Sequence, residues 1–433
     1  MSDIRIGILG LGTVGSGVVK ILESHGAELS ERAGCGLRLA AVADPDLSRS
    51  REGLDLARLP MVTDANDVLE HPEIQIVLEL VGGLEPARTF ILKALGRRKH
   101  VVTANKALLA HHGPELFEEA RRNQVMLGFE AAVAGGIPLI RAIKDGLVAN
   151  RVVSAFGIVN GTCNYVLSRM ADEGRDFSEV LKEAQARGYA EADPTLDIEG
   201  LDSAHKLQIL ATLAFRTAVD LKDIYTEGIT GVSQQDVVNA SELGYRIKLL
   251  AIAKASDGGL EARVHPTMIP AGSPLAAVSG VFNAVFITGD NVGNLMFYGR
   301  GAGQLPTASA VWSDTVEIAR RVAHGIPALP VDLPSIASRP LPLRPIEDIR
   351  SEYYLRVMAL DRPGVLAQVA GILGGQDISL LSVLQKGRAQ GEAVPVVMMT
   401  HEARERDMRA ALSAIDRLPV VAARTTLIRV EPA

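Results

Sequence analysis

The chain has 433 residues, of which 47% are hydrophobic and 22% charged, and its formal net charge at pH 7 is −6. This length exceeds what a single hydrophobic core usually supports, so we expect two or three domains of an ordinary globular protein. The acidic balance and the lack of a long Lys/Arg run exclude an electrostatic surface for nucleic acid or for an anionic membrane.

The cysteines and the N-terminus indicate the compartment. Cys35 and Cys163 lie outside any CxxC or Cys/His spacing, so we expect neither a disulfide framework nor a zinc site. The N-terminal segment lacks the basic and then apolar pattern of a signal peptide. No apolar run approaches the roughly 20 residues of a membrane-spanning helix. We therefore expect a cytoplasmic protein that binds neither nucleic acid nor membrane.

The first third of the chain alternates short apolar runs with amphipathic stretches, which predicts a Rossmann-type doubly wound parallel sheet of the α/β class. The predicted strands cover residues 4–9, 37–43, 75–81, 100–103 and 125–129, and the predicted helices cover residues 14–24, 86–98 and 114–123.

A GxGxxG motif lies between the first predicted strand and the first predicted helix. Gly10 would permit the tight turn, Gly12 would let a pyrophosphate approach the backbone, and Gly15 would allow close packing of helix on strand. Thr13 and Val14 would begin the helix, whose free N–H groups favour phosphate. The segment therefore predicts a dinucleotide site.

The acid for the ribose of the dinucleotide is Asp44, at the end of the second strand, farther from the glycines than the usual distance of about 20 residues. Asp44 would favour NAD by accepting a hydrogen bond from the 2′-hydroxyl. Arg49 and Arg51 could instead pair with the 2′-phosphate of NADP, or could belong to a solvated loop. The choice between NAD and NADP stays open.

The middle third predicts a second domain, a mixed α+β domain with strands at residues 154–160, 262–269 and 284–288 and with helices on one face of its sheet. An acidic stretch, GYAEADPTLDIEGLD, leads there into a helix. Asp202 and Lys206 are spaced i, i+4 on one face of that helix. The pair is either a surface ion pair or a proton donor with its neighbour, since a lysine can protonate a carbonyl oxygen.

Six prolines between Pro327 and Pro345 predict an extended linker at residues 326–351. The remaining residues, 352–433, read in the order β, α, β, β, α, β. This order is typical of ferredoxin-like domains.

Six motifs together resemble homoserine dehydrogenases with a C-terminal ACT domain, over essentially the whole chain. They are GLGTVG, TANK at 103–106, EAAVAGGIP at 130–138, GIVNGTCNYVL at 157–167, GYAEADPTLDIEGLDSAHK at 188–206 and GRGAGQLPTASA at 299–310. The resemblance implies the NAD(P)H-dependent, reversible reduction of L-aspartate 4-semialdehyde to L-homoserine, a step toward threonine, methionine and isoleucine. It also implies a homodimer or homotetramer.

The resemblance also assigns roles to individual residues. It makes Lys206 the proton donor, with Asp202 beside it, and gives the substrate ammonium group to Glu191. It places Lys106, in the loop after a sheet strand, where nicotinamide, substrate and catalytic groups meet. Gly303 would complete the cofactor pocket.

A sodium ion is a further implication of the resemblance. The ion would be bound by main-chain oxygens of Glu130, Val133, Gly135 and Ile137, in a glycine-containing loop that can turn carbonyl groups inward. The alternative is an ordinary turn between domains.

The C-terminal domain resembles ACT domains, in which Asp361, Pro363, Gly364, Val365 and Leu366 would form a ligand-binding turn. The resemblance implies an amino-acid effector, threonine, although a purely structural dimerisation module is the alternative. The resulting domain plan is a nucleotide domain at residues 1–130 with residues 305–325 returning to it, a substrate-binding and dimerisation domain at 131–304, a linker at 326–351 and an ACT domain at 352–433.

Two other functions are considered. A Rossmann dehydrogenase acting on aspartate itself would leave the GYAEADP and GLDSAHK segments unexplained. A catalytically inactive amino-acid sensor would not need an intact GLGTVG motif or Lys206.

Overall fold

The structure is a computed structural model that describes residues 3–256, 258–327, 341–386 and 392–432. These residues form two compact units. Unit 1 contains the described residues within 1–152, 205–221 and 288–340, and unit 2 contains those within 153–204, 222–287 and 341–433. Half of the predicted linker, residues 328–340, lies outside the described residues.

The first 152 residues fold into a regular alternation of strands and helices. The elements are β1 (Ile4–Leu9), α1 (Thr13–Ala33), β2 (Leu37–Ala43), β3 (Met61–Val62), α2 (Ala65–Leu69), β4 (Ile74–Glu79), α3 (Ala87–Gly96), β5 (His100–Thr103), α4 (Lys106–Asn123), β6 (Leu127–Gly128) and α5 (Leu139–Arg141).

The six strands of unit 1 form one parallel sheet in the order β3-β2-β1-β4-β5-β6. The strand order reverses between β1 and β4, and in such sheets ligands bind at the carboxyl ends of the strands at this switch point. Ile4, Ile6 and Ile8 of β1 are at most 1% exposed, as expected for a strand covered on both faces. The predicted Rossmann-type sheet is confirmed.

The middle of the chain contributes both helices and long strands. Its elements are β7 (Val152–Ile158), α6 (Gly161–Glu173), α7 (Phe177–Ala186), α8 (Thr195–Ile198), α9 (Leu201–Phe215), β8 (Tyr225–Thr226), α10 (Gln234–Glu242), β9 (Tyr245–Ser256), β10 (Gly259–Pro270), β11 (Phe282–Gly289), β12 (Gly293–Arg300) and α11 (Gln304–Ala323).

Helix α11 packs against α1 within unit 1. The indole of Trp312, 2% exposed, donates a hydrogen bond to the Val18 carbonyl at 2.9 Å. Gly17 permits the contact, because a Cβ there would lie 2.6 Å from the Gln304 carbonyl oxygen. The parallel sheet of unit 1 is thus covered partly by a helix that comes from much later in the chain, since Trp312 and Val18 are 294 positions apart.

The last part of the chain forms the βαββαβ arrangement. Its elements are β13 (Arg350–Leu360), α12 (Val365–Gly375), β14 (Leu380–Gln385), β15 (Ala393–Thr400), β16 (Ala403–Arg404), α13 (Glu405–Ile415) and β17 (Val421–Val430). The predicted order is confirmed, with the two-residue β16 as an addition.

One mixed sheet runs through unit 2, with the strands β11-β7-β9-β10-β17-β13-β15-β14 side by side. Antiparallel pairing joins β9 to β10 along their whole length. Strand β17 pairs in parallel with β10 at Thr267 and Met268, and it pairs antiparallel with β13. The ACT-like strands therefore continue the sheet of the middle segment, and the predicted mixed sheet is confirmed.

Helices α1 and α4 depart most from their predicted bounds. Helix α1 kinks at His25, next to its predicted end, and continues to Ala33, where Gly34 closes it in a left-handed conformation. Helix α4 begins at Lys106 and contains Pro114, which the sequence analysis made its first residue. The proline removes one helical hydrogen bond, and the residue before it is Gly113, which has no Cβ to meet the ring.

Strand β9 was missed by the sequence analysis. Its sequence, YRIKLLAIAKAS, is nearly continuous in apolar residues and lacks the alternation that marks a half-buried strand. Burial on both faces explains the pattern, since seven successive residues from Ile247 are buried.

Within the described ranges, no helix has both the length and the apolar character needed to cross a bilayer.

Candidate active site and cofactor site

The three glycines after β1 differ in what surrounds them. Gly10 has φ +92°, and a Cβ there would lie 2.8 Å from the Leu80 carbonyl oxygen. A Cβ on Gly15 would lie 2.1 Å from the Gly10 carbonyl oxygen, whereas a Cβ on Gly12 would meet no described atom within 4 Å. Gly10 and Gly15 are therefore required by the fold, and Gly12 leaves open space where a ligand can approach.

The N-terminus of α1 faces this turn. Gly12 is the N-cap residue, and no side chain among the described residues caps the helix there. The first-turn N–H groups, which include those of Thr13 and Val14, have no intrahelical partner by the geometry of an α-helix. Together with the helix dipole they make a site for phosphate, so the residues fit a dinucleotide.

Asp44 is tied to the glycine turn. Its Oδ2 accepts from the Leu11 N–H at 2.8 Å, and its Oδ1 accepts from the Asp46 N–H at 3.0 Å and pairs with Arg51 at 2.8 Å. Burial raises the pKa of Asp44, but the backbone hydrogen bonds and Arg51 outweigh it and lower the pKa. The aspartate therefore stays ionised and anchors the loop across 33 residues of sequence.

Arg51 and Arg49 differ in environment. Arg51 is 8% exposed, and besides Asp44 it donates to the carbonyl groups of Leu11, Asp46 and Arg49. Its guanidinium therefore supports the loop, which differs from both roles considered from the sequence. Arg49 is exposed.

A buried network holds the loops at the carboxyl ends of β4 and β5. The Glu79 carboxylate, 0% exposed, accepts from Thr103 Oγ1 at 2.6 Å and from the Val81 N–H at 2.9 Å. The Asn105 side chain donates to the Gly83 carbonyl at 2.6 Å and caps α4. Lys106 is the first residue of that helix, so it lies at the carboxyl edge of the sheet and not in a free loop.

Lys206 lies in α9 and is 9% exposed. The ring of His205 beside it contacts the ring of His111 edge to face, with centroids 5.4 Å apart. His111 belongs to α4, the helix that begins with Lys106. Within unit 1, the contact joins the helix of Lys206 to the helix of Lys106.

In unit 2, the side chain of Asn160 binds two aspartates of the acidic stretch. Asn160 donates one amide hydrogen to Asp197 Oδ1 at 2.7 Å and the other to Asp202 Oδ2 at 2.8 Å. Asp202 is 8% exposed. Glu191 is exposed, and its carbonyl group accepts from Gln185 at 3.1 Å.

The predicted cation loop is buried and irregular. Glu130, Val133 and Ile137 are at most 3% exposed, and the chain turns through left-handed conformations at Ala134 and Gly135. The Glu130 carboxylate accepts from the N–H groups of Ile140 and Arg141 in α5, at 2.8 and 2.9 Å, which leaves the main-chain carbonyl oxygen of Glu130 to bind a cation.

Two observations bear on the chemistry of that cation site. Among the described residues, no group of three or more His, Cys, Asp or Glu side chains is arranged to hold a metal ion. A hard cation bound here would thus rely on main-chain oxygens, and the bend at Gly135 is compatible with this. Burial also raises the pKa of Asp314, which accepts from the Glu130 N–H, to about 7.

Gly303 caps the N-terminus of α11 with φ +125°. The next residue, Gln304, accepts from Lys20 of α1 at 3.1 Å. Two residues before Gly303, the Gly301 carbonyl oxygen lies 2.4 Å from where a Cβ on Gly135 would be. Helix α11 thus brings Gly303, the cation loop and the helix of the glycine turn together in unit 1.

The ACT-like turn borders a small cavity of about 80 Å³. Four of the five predicted residues line it: Asp361, Gly364, Val365 and Leu366. Gly364 has φ +85° and is the N-cap of α12, and a Cβ there would meet no described atom within 4 Å. The fifth, Pro363, is exposed in the same turn.

Several residues of these sites were missed by the sequence analysis. Glu79, Asn105 and Asn160 are buried polar residues whose partners are distant in sequence. Asn105 and Asn160 follow strands and precede helices, so an N-cap role was readable from the sequence. Their hydrogen bonds to Gly83, Asp197 and Asp202 could not be predicted from the sequence.

Comparison with family models covers most of the chain. Residues 138–316 match the model described as homoserine dehydrogenase, residues 10–130 the model described as the NAD-binding domain of homoserine dehydrogenase, and residues 353–420 the ACT domain.

Individual relatives are similar over the full length. The homoserine dehydrogenase of Pseudomonas aeruginosa is 46% identical, over 100% of this chain and 99% of that protein. The crystal structure of a homoserine dehydrogenase from Thiobacillus denitrificans is 47% identical with a TM-score of 0.94, over 100% of this chain and 99% of that one. A hyperthermophilic archaeal homoserine dehydrogenase in complex with NADPH is 26% identical with a TM-score of 0.62, over 73% of this chain and 97% of that one.

Proposed function

The chain belongs to the homoserine dehydrogenase family, and on that premise we propose that it catalyses the NAD(P)H-dependent, reversible reduction of L-aspartate 4-semialdehyde to L-homoserine. The step would serve the synthesis of threonine, methionine and isoleucine. The two free cysteines are buried, which is compatible with the reducing cytoplasm where we place the enzyme.

The environment of Lys206 is the observation that carries this assignment. A lysine that is only 9% exposed is unusual for a surface ion pair. Its helix contacts α4 through His205 and His111, and α4 starts with Lys106 at the carboxyl edge of the nucleotide-binding sheet. In open α/β sheets this edge is where ligands bind.

The cofactor would be held by the glycine turn and the start of α1. Gly10, Gly12, Thr13, Val14 and Gly15 offer an open backbone and N–H groups to the pyrophosphate. Gly303 and Lys106 would border the nicotinamide end. When bound, the reduced dinucleotide supplies the hydride that reduces the carbonyl carbon.

The cofactor would be NADP or NAD. The archaeal relative was solved with NADPH, and Asp44 already has Leu11, Asp46 and Arg51 as partners. Arg49, which is exposed and close to Asp44 in sequence, could pair with the 2′-phosphate of NADP.

The chain's own residues would bind the aldehyde and move one proton. Glu191 would hold the substrate ammonium group by charge, and Lys106 would contact the substrate beside the nicotinamide. As the carbonyl carbon is reduced, negative charge develops on its oxygen. The Lys206 ammonium would stabilise this charge and transfer a proton to that oxygen, leaving a neutral amine, with Asp202 one helical turn away.

A sodium ion would complete the substrate side of unit 1, held by the main-chain oxygens of Glu130, Val133, Gly135 and Ile137. Its role would be to fix the loop that precedes α5. The buried position of these residues and the engaged Glu130 carboxylate support main-chain coordination.

The ACT domain would bind an amino-acid effector, threonine, at the turn of Asp361, Pro363, Gly364, Val365 and Leu366. The N-terminus of α12, capped by Gly364, is suited to a carboxylate. We further propose a homodimer or homotetramer, since the ACT domain is a common subunit contact; sedimentation or light scattering measures the state directly.

The test of the activity is NADPH or NADH oxidation by the purified protein with aspartate semialdehyde. We expect semialdehyde-dependent oxidation by the wild type and a loss of kcat of about 10²- to 10⁴-fold in Lys206→Ala, which is the usual contribution of a general acid. The exposed Lys182→Ala serves as the matched control. A wild type without this activity contradicts the proposed function, and an undiminished Lys206→Ala contradicts the role of Lys206.

Regulation is tested in the same assay. Millimolar threonine should lower the rate, and Asp361→Ala should need a higher threonine concentration for the same inhibition. Rates that do not respond to threonine at that concentration leave the ACT domain as a structural module.

A further inference from the structure

Asn160 has a hydrogen-bond partner for each of its polar atoms. It follows β7 and is the N-cap residue of α6, where its Oδ1 accepts from the Cys163 N–H at 2.8 Å. Its two amide hydrogens go to Asp197 Oδ1 at 2.7 Å and to Asp202 Oδ2 at 2.8 Å. The side chain is 5% exposed.

The cap fixes which way the amide points. Because Oδ1 must face the Cys163 N–H, the NH₂ group can only face the two carboxylates, and a flipped amide would set oxygen against oxygen. An amide NH₂ has two hydrogens, so it is matched to two acceptors. Of the neutral side chains, those of Asn and Gln have this combination of one acceptor and two donors, and Asn has the shorter reach.

The two carboxylates come from different segments. Asp197 belongs to the short helix α8, and Asp202 to the first turn of α9. Asp197 is held a second time, because Cys163 Sγ donates to its carbonyl oxygen at 3.1 Å. Helix α6 thus joins both segments through residues of one N-terminal turn.

Asp202 lies one helical turn before Lys206 in α9. Residues four apart in a helix share a face, so the orientation of the Asp202 carboxylate determines where negative charge lies beside the ammonium group. Asn160 holds that orientation without adding charge of its own.

We propose that Asn160 is a positioning residue for proton transfer, which acts by clamping the carboxylates of Asp202 and Asp197 on either side of a single amide group. The inference rests on the proposed function, in which Lys206 donates the proton. Asn160 would not touch the substrate or the cofactor.

Asn160→Asp tests the clamp with little change of shape. A carboxyl group can still accept from the Cys163 N–H and so keeps the cap, but it can donate to at most one of the two aspartates, and without its proton it adds a like charge to both. We expect kcat to fall about 10- to 100-fold, less than the loss of a whole general acid. The KM for NADPH should stay within about twofold.

The pH profile of kcat provides a readout that a purely structural role would not move. In the direction of reduction the proposed mechanism needs a protonated donor, so kcat should fall at high pH. An added negative charge favours the protonated ammonium, so the alkaline limb should move to higher pH in Asn160→Asp.

The matched control is Asn164→Asp, four residues further along the same helix. Asn164 is 1% exposed, and its amide donates to the carbonyl groups of Gly280 and Phe282. This variant should lose stability while its alkaline limb stays that of the wild type. Asn160→Ala removes the N-cap and the contacts to both aspartates, so this variant should lose stability and kcat together.

Each outcome separates this inference from the proposed function. If Lys206→Ala is inactive but Asn160→Asp keeps the kcat and pH profile of the wild type, the clamp is wrong and the proposed function stands. If Asn160→Asp loses only thermal stability, its role is structural and the inference is overturned. If the wild type does not reduce the semialdehyde, the proposed function fails first.

Discussion

Gly12 and Gly15 sit three residues apart in one turn, but different forces select them. A Cβ at position 15 would enter the Gly10 carbonyl group at 2.1 Å, so the folded chain itself excludes it. A Cβ at position 12 would meet open space among the described residues. Only a ligand that approaches the backbone gives a reason for glycine there.

This contrast predicts opposite results for two alanine variants. Gly12→Ala should keep its free energy of unfolding within about 1 kcal/mol, because position 12 has φ −76° and room for a methyl group. Its KM for NAD(P)H should rise at least about tenfold, since the methyl group blocks the pyrophosphate. Gly15→Ala should lose about 1–3 kcal/mol by overpacking. Urea unfolding and cofactor titration measure the two effects, and normal cofactor affinity in Gly12→Ala would argue against the site.

Lys248 carries a buried charge that the fold disfavours. It is 3% exposed and donates to the Val278 carbonyl at 2.6 Å and to Asn164 Oδ1 at 3.1 Å. Burial, and to a lesser degree the charge of Arg246, lower the pKa of Lys248 to about 8. The unfolded chain, with an ordinary lysine pKa near 10.5, holds the proton more tightly.

Stability should therefore rise with pH between 8 and 10.5 at this residue, because in that window the unfolded chain binds more protons than the folded one. From pH 8 to pH 9.5 the wild type should gain about 2 kcal/mol relative to Lys248→Met. The exposed Lys182→Met should follow the wild type. Unfolding free energies from urea titrations at both pH values decide this, and a constant difference between wild type and Lys248→Met contradicts it.

At the scale of elements, a single aspartate joins helix α10 to strand β13. Asp236 is 0% exposed, and its carboxylate caps α10 through Ser233 and accepts from Tyr354 at 3.0 Å. Arg356 binds both of its oxygens, at 2.6 and 2.9 Å. Burial raises the pKa of Asp236, but Arg356 and Ser233 outweigh it and lower the pKa.

Removing this carboxylate leaves the Tyr354 hydroxyl without its acceptor, and it leaves the Arg356 guanidinium with only the hydroxyl groups of Ser233 and Thr426. We expect Asp236→Ala to lose about 3–5 kcal/mol, the cost of breaking a buried ion pair. Asp64→Ala, at the exposed N-cap of α2, should lose only about 1 kcal/mol. Because the folded pKa of Asp236 is lowered, its contribution is present at neutral pH and is lost as the pH falls below about 4. Equal losses in the two variants, measured by urea unfolding, would contradict the ion-pair account.

At the scale of the whole chain, the ACT-like strands are part of the sheet of unit 2. The Glu431 N–H donates to the Met268 carbonyl at 3.0 Å just beyond β17. Glu431 is 2% exposed, and its side chain pairs with Arg263 of β10 and accepts from Lys254 of β9 at 3.0 Å. Strands β17 and β10 cannot separate without breaking these ion pairs.

We therefore expect the amides of β9, β10, β13 and β17 to exchange with solvent at similar rates, as one cooperative unit. Glu431→Gln should speed exchange in all four strands together. Glu402→Gln removes a surface pair with Arg350 and should have little effect. Hydrogen exchange followed by mass spectrometry tests this, and early exchange confined to β13 would show that the ACT domain opens independently.

Local chemistry made much of this protein readable from its sequence. The glycine turn, the alternation of strands and helices, the βαββαβ order and the spacing of Asp202 and Lys206 depend on residues that are neighbours in the chain. Backbone conformation and hydrophobic period act over such short distances. The family resemblance rests on the same short motifs.

Tertiary structure decided what depends on residues far apart in sequence. Asn160, Arg51 and Glu79 find partners in distant segments of the chain, Trp312 of α11 bonds to Val18 of α1 across 294 positions, and β17 joins β10. No local pattern encodes these contacts, because a buried polar group specifies only that it needs a partner and not which one. Strand β9 was hidden for a similar reason, since burial on both faces removes the alternation by which a strand is recognised.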